Sequence, residues 1–139
     1  MKRSLTIQLG LVAALLAPLL SGPPASAQTS ERANIPFAFF VDKQEFPAGC
    51  YKLTVESDTQ LSMVNCETGK PVMLMARTTK AYQVVQHGKL VFYVSGKKAR
   101  LHQALFAGSN KDTVFALPPK LQREIATNMG VATVEIAMK

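Results

Sequence analysis

The sequence predicts a mainly β fold: a small antiparallel sandwich or partly closed barrel of six or seven strands with one short C-terminal helix. Beyond residue 34, short alternating apolar runs recur about ten positions apart, separated by turn residues, which is typical of antiparallel strands. After Leu117 the pattern changes, because Pro118-Pro119 opens a segment that ends at Gly130, as helices commonly do. No repeat or linker divides this region, so we predict one domain over residues 28–139.

The N-terminal segment has the layout of a secretory signal peptide. A basic start, Met1-Lys2-Arg3, precedes an apolar run over residues 9–20, and Ala25-Ser26-Ala27 supplies small residues before Gln28. The run holds 12 residues, whereas a membrane-spanning helix needs about 20. We therefore predict cleavage between Ala27 and Gln28, no transmembrane anchor afterwards, and an exported protein that is periplasmic or extracellular.

The first part of the predicted domain reads as a loose arm followed by a strand. Residues 28–33 are polar and predict an unstructured arm. Residues 35–41 alternate, so that Ile35, Phe37, Phe39 and Val41 share one face of a strand. Because Pro36 lacks a backbone donor, this strand is expected to begin at a sheet edge or a bulge.

The two cysteines flank a predicted hairpin. Residues 51–56 and 60–65 alternate on either side of Ser57-Asp58-Thr59, and a hairpin about Asp58 pairs Glu56 with Gln60, Leu53 with Met63, and Cys50 with Cys66. Cross-strand partners lie at the separation that a disulfide requires, and export favours an oxidised pair. A metal site would need further ligands nearby, and a redox site a closer Cys-x-x-Cys spacing. We predict a structural disulfide between Cys50 and Cys66.

The remaining elements follow from the same patterns. Residues 71–76 are apolar throughout, which predicts a strand covered on both faces, and Val84-Val85 indicates a short strand. Leu121, Ile125 and Met129 recur every fourth residue and predict an apolar helix stripe. The further predictions are strands over residues 90–94, 100–106 and 131–138, a loop over 108–112, and a helix over 120–129.

Several of these motifs resemble a family of small exported bacterial proteins. That family carries an Ile-Pro-Phe-x-Phe strand and then Leu-Pro-Ala-Gly-x-Tyr before a hairpin, and this chain has Ile-Pro-Phe-Ala-Phe over 35–39 and Phe-Pro-Ala-Gly-Cys-Tyr over 46–51. Phe46 stands where the family has leucine, and Cys50 occupies a variable position, so the resemblance does not imply the disulfide. It implies export and the fold, and no activity. Further matches, which extend the resemblance over most of residues 34–126, are Val91-Phe92, Gly96, Leu101, Leu117-Pro118 and Arg123-Glu124.

The charge balance points to weak contact with anionic surfaces and away from nucleic acid. Removal of Lys2 and Arg3 with the signal peptide leaves 14 of 16 basic residues against 9 acidic ones, a net charge of +5. The basic residues are spread along the chain, and the only dense cluster is Lys97-Lys98-Ala99-Arg100. Such a cluster is usually a solvated turn; the alternative is an anion site, for which Lys97, Lys98 and Arg100 are the candidate contacting residues.

No enzyme class gains support from the sequence. His87 and His102 stand alone, no motif places a nucleophile or a carboxylate pair, and no cofactor or metal is predicted. The aromatic residues Phe37, Phe39, Phe46, Phe92 and Phe106 predict a core, or else a pocket for an apolar ligand. We predict a non-enzymatic exported domain that binds an unknown protein or envelope partner or serves as an envelope-associated structural component. The alternatives are an apolar-ligand carrier with a barrel interior and, least favoured, a hydrolase using His102.

Overall fold

The structure, a computed structural model, describes residues 28–139. The predicted signal peptide, residues 1–27, therefore lies outside the described residues. Residues 28–139 form eleven strands and one helix, against six or seven strands predicted, because several strands have only three or four residues. The strands are β1 Ser30–Ile35, β2 Phe39–Val41, β3 Gln44–Phe46, β4 Gly49–Ser57, β5 Gln60–Asn65, β6 Pro71–Met75, β7 Arg77–Lys80, β8 Lys89–Ser95, β9 Lys98–Leu105, β10 Lys111–Val114 and β11 Val131–Ala137, and the helix is α1 Pro119–Ala126.

Two sheets make up the fold. The first has the strand order β1-β4-β5-β6, and the second β11-β8-β9-β10-β7, with the β2–β3 hairpin attached through a parallel pairing of β2 with β9. The chain passes between the sheets at Ala76, between β6 and β7. Arg32 of β1 and Lys139, which follows β11, exchange two backbone hydrogen bonds of 2.8 Å; we call this contact between the two sheets the seam. The predicted fold class is confirmed: mainly β, one C-terminal helix, and sandwich-like sheets that do not close into a barrel.

The apolar side chains fill the space between the sheets. Phe39 lies at the centre, edge-on to Phe92 at 5.5 Å and to Tyr51 at 5.4 Å between ring centroids. The predicted aromatic residues Phe46 and Phe106 are also buried, and Phe37 packs edge-on against Phe92 at 5.1 Å. Burying each such side chain stabilises the fold by about 1.5–3 kcal/mol. The aromatic set therefore belongs mainly to the core.

The predicted hairpin forms with one local change. Leu53 pairs with Met63 as expected, and Cys50 is joined to Cys66 with 5.3 Å between their Cα atoms. A β-bulge shifts the register near the turn, so Gln60 pairs with Ser57 and not with Glu56. The bulge accommodates the tight turn at Asp58 without altering the register around the cysteines.

The N-terminal prediction was wrong in two respects. Residues 28–33 are not a loose arm, because Ser30–Ile35 pairs antiparallel with β4 over its whole length. The predicted strand over 35–41 is interrupted at Pro36, which lacks the donor that a continuous ladder needs. Ile35 ends one strand and Phe39 begins another in the second sheet, yet both are buried, as their alternation predicted.

Four further predictions differ from the structure, two of them at edge strands. Strand β6 is the edge of its sheet and is covered on one face only, so that Met75 is 69% exposed. The predicted strand at Val84-Val85 is absent, and β7 lies at Arg77–Lys80. Strand β10 begins at Lys111, inside the predicted loop. Helix α1 ends at Ala126, and Met129 lies beyond it and is exposed.

Candidate functional site

The turn between β8 and β9 sets out two cationic side chains on one face of the sheet. Gly96 adopts a φ of 61°, which suits glycine in a tight hairpin and brings Ser95 opposite Lys98. Because side chains alternate along a strand, the burial of Ala99 and Leu101 places Lys98 and Arg100 on the face away from the core.

Helix α1 closes the other side of this site. Leu121 is 5% exposed and anchors the helix, while Lys120 and Glu124 line a cavity of about 300 Å³ together with Ser95 and Pro118. The Ser95 hydroxyl donates a hydrogen bond of 2.9 Å to Oε2 of Glu124, which ties the helix to the end of β8. We call this site the basic cavity; its lining residues are Ser95, Lys98, Arg100, Pro118, Lys120, Leu121 and Glu124.

Phe40 and the β2–β3 turn hold the two cationic side chains of β9. The Arg100 guanidinium lies 5.1 Å from the centroid of the Phe40 ring, and the Lys98 ammonium lies 5.8 Å from it. Nη1 of Arg100 also donates a hydrogen bond of 3.2 Å to the backbone carbonyl of Asp42. The parallel pairing of β2 with β9 places this ring beside the hairpin. The cations are therefore oriented by packing before any ligand arrives.

The basic cavity carries a net positive charge. Lys98, Arg100 and Lys120 contribute +3 and Glu124 contributes −1, which gives +2. The N-terminus of α1 has no side-chain cap and no acidic residue in its first turn, so its free N–H groups and its dipole add positive potential. This combination favours a phosphate or carboxylate group.

The structure brings together two of the three predicted anion-contacting residues. Lys98 and Arg100 line the basic cavity, whereas Lys97 lies in the exposed turn and does not line it. Lys120 is a further cationic residue of the cavity, and it was not predicted because the sequence does not show that α1 packs beside β9. The one local signal was a basic side chain in the first helical turn, where acidic residues are usual.

The other sequence-predicted residues lie elsewhere. Cys50 and Cys66 form their disulfide in the first sheet, and His87 is exposed in the loop before β8. His102 is half-buried on β9, where its ring lies 5.0 Å from that of Tyr93. Burial lowers the pKa of His102, and a backbone contact with Phe115 opposes this in part.

The histidine, cysteine, aspartate and glutamate side chains of residues 28–139 include no group of three placed to hold a metal ion. In the same range, no helix has the length and apolar character needed to cross a membrane.

Comparison with known protein families, with curated proteins and with solved structures gives no match. The resemblance to small exported bacterial proteins thus stays a prediction from the motifs.

Proposed function

We propose that this protein is an exported, non-enzymatic binding domain that attaches to anionic surfaces outside the cytoplasm. Its basic cavity would receive a phosphate or carboxylate group of a lipid headgroup or an acidic polymer. The observation that carries the proposal is the convergence of Lys98, Arg100 and Lys120 on one cavity at the uncapped end of a helix.

The disulfide and the N-terminal sequence support export. A Cys50–Cys66 bridge persists in oxidising compartments, which include the periplasm and the extracellular medium. Residues 1–27 have the charge, apolar run and small-residue ending of a signal peptide. These two observations are independent, and both agree with a protein that functions at the cell envelope.

The composition of the basic cavity supports binding without catalysis. Its polar side chains are three cations, Glu124 and Ser95, and the serine hydroxyl donates to the glutamate. A nucleophilic serine needs a base that is itself oriented by a third group, and among the described residues the Glu124 carboxylate has no hydrogen-bond partner besides Ser95. Neither His87 nor His102 lines this cavity. The arrangement supplies positive charge and donors, which are the requirements of an anion-binding site.

Vesicle binding tests the proposal. The purified protein is sedimented with phosphatidylglycerol vesicles and with phosphatidylcholine vesicles at several salt concentrations, and inorganic phosphate is added as a competitor. We expect binding to the anionic vesicles that weakens with salt. Each cation near such a surface contributes about 1 kcal/mol, so the variant K98Q/R100Q/K120Q should bind about a hundredfold more weakly.

A charge-matched variant controls for net charge. K52Q/K70Q/K139Q removes the same three positive charges at positions outside the basic cavity, so its affinity should stay within a fewfold of that of the unmodified protein. Glu124→Gln removes the negative charge from the cavity and should strengthen binding. Equal losses in the two triple variants would show that net charge, and not the basic cavity, is responsible. Equal binding to the two kinds of vesicle would refute the proposal outright.

A further inference from the structure

A second cavity lies on the other side of helix α1. Its volume is about 350 Å³, and it is lined by Tyr93 and His102 of β8 and β9, by the segment 114–117, and by Gln122 and Ile125 of the helix. Gln122 and Ile125 lie on the flank of the helix opposite to the one that carries Lys120 and Glu124, with the buried Leu121 between the two flanks. We call this site the His102 cavity. It shares no lining residue with the basic cavity.

The walls of the His102 cavity are mostly apolar. Leu117 and Ile125 present aliphatic side chains, and the rings of Tyr93 and His102 lie tilted against each other with 5.0 Å between centroids. The segment 114–117 is held by the backbone, since the Phe115 N–H donates a hydrogen bond of 2.8 Å to the carbonyl of His102. A cavity of this size, with mostly apolar walls and a few polar groups, is typical of small-molecule sites.

One cationic group stands at this cavity without an acidic partner. Arg77 lines it from β7, and among residues 28–139 its guanidinium forms no ion pair. A guanidinium matches a carboxylate through two parallel hydrogen bonds. Arg77 is exposed and is therefore available to pair with an acidic ligand.

The half-buried ring of His102 adds to the aromatic surface of this cavity. Aromatic rings pack favourably against one another, so this surface suits a ligand with an aromatic body.

We propose that the His102 cavity binds a small organic acid with an apolar or aromatic body. The carboxylate pairs with the Arg77 guanidinium, and the body lies between Leu117, Ile125 and the ring of Tyr93. The site is separate from the proposed attachment through the basic cavity, and either proposal can fail without the other.

Titration with two matched probes tests this assignment. 4-Phenylbutyrate has the carboxylate and the aromatic body, and 4-phenylbutanol has the same body without the charge. Each is added to the ¹⁵N-labelled protein while amide shifts are recorded. We expect saturable shifts for 4-phenylbutyrate at residues 93, 102, 114–117 and 125, with affinity at least tenfold above that for 4-phenylbutanol.

Two variants locate the charge that selects the acid. Arg77→Gln should weaken 4-phenylbutyrate at least tenfold and leave 4-phenylbutanol within twofold, while the spectrum itself reports that the fold is intact. Lys80→Gln makes the same charge change on the same strand outside the cavity and should leave both affinities within twofold. Non-saturable shifts, shifts centred on Lys98 and Arg100, or equal losses in the two variants would each overturn the proposal.

Discussion

Removing the Cys50–Cys66 disulfide should lower the stability of the fold by an amount that the loop length sets. The bridge encloses 15 residues between the cysteines, since the two are 16 positions apart. A loop of that length restricts the unfolded chain by roughly 3 kcal/mol in the chain-entropy treatment. The double variant C50A/C66A should lose about this much free energy of unfolding.

Removing the disulfide should change the free energy of the folded state only a little. Strand β4 is hydrogen-bonded to β1 on one side and to β5 on the other, and the pairing of Tyr51 with Asn65 continues beside the bridge. The backbone should therefore keep its register without the disulfide. For the 112 residues of the domain, an unfolding entropy of about 2.1 cal/mol/K per residue converts 3 kcal/mol into a fall in Tm of about 13 °C.

Urea and thermal unfolding measure the effect. The unmodified protein without reductant, the same protein with reductant, and C50A/C66A form the comparison, and reductant should leave the double variant unchanged. A loss below about 1 kcal/mol would refute the reasoning from loop entropy. A much larger loss with altered amide shifts in β4 and β5 would place the effect in the native state.

Three further predictions concern buried or half-buried positions. Gly88→Ala should lower the free energy of unfolding by about 1.5–3 kcal/mol, because a Cβ there overlaps Oε2 of Glu31. Displacing that carboxylate breaks the hydrogen bond of 2.8 Å that it accepts from the Ala107 N–H. In urea unfolding, the double variant G88A/E31A should therefore lose less stability than the sum of the two single variants. Burial lowers the pKa of His102 below 6.5, so stability should decline as pH falls through that unfolded value, and His102→Phe should reduce the decline in unfolding series between pH 8 and 5. Burial raises the pKa of Asp112 above 3.8, so its contribution is fully favourable below 3.8 and is lost as pH rises through the folded value; Asp112→Asn should gain a little stability at pH 7, and a loss there would contradict this sign.

The sequence predicts correctly those parts of the fold in which the alternation of apolar residues and the turn residues indicate the same strands. The β4–β5 hairpin has both, and its register around Leu53 and Met63 follows from them. Strand β1 was missed because Ser30–Ile35 is largely polar and pairs through its backbone, with only Ala33 and Ile35 buried. Strand β7, of sequence RTTK, is an edge strand with little apolar surface to reveal it. Backbone pairing at an edge leaves little trace in side-chain patterns.

Some residues of the two cavities could be predicted from the sequence and others could not. Lys98 and Arg100 belong to one strand, and their spacing alone places them on one face. Lys120 joins them only because Leu121 docks α1 on the outside of the second sheet. Arg77 and His102 both line one cavity although they are 25 positions apart, the difference between 102 and 77. Tertiary packing brings these residues together, so local sequence patterns do not predict that they line one cavity.

The seam between Arg32 and Lys139 has a consequence for the order of folding. These residues exchange both backbone hydrogen bonds across 107 positions, the difference between 139 and 32. The hairpins β4–β5 and β8–β9 instead close over a few residues each. Because distant pairings must first offset the entropy of loop closure, the hairpins should form early and the seam late. Until then the backbone groups of Arg32 and Lys139 are unpaired, so association during refolding should be concentration-dependent until they pair.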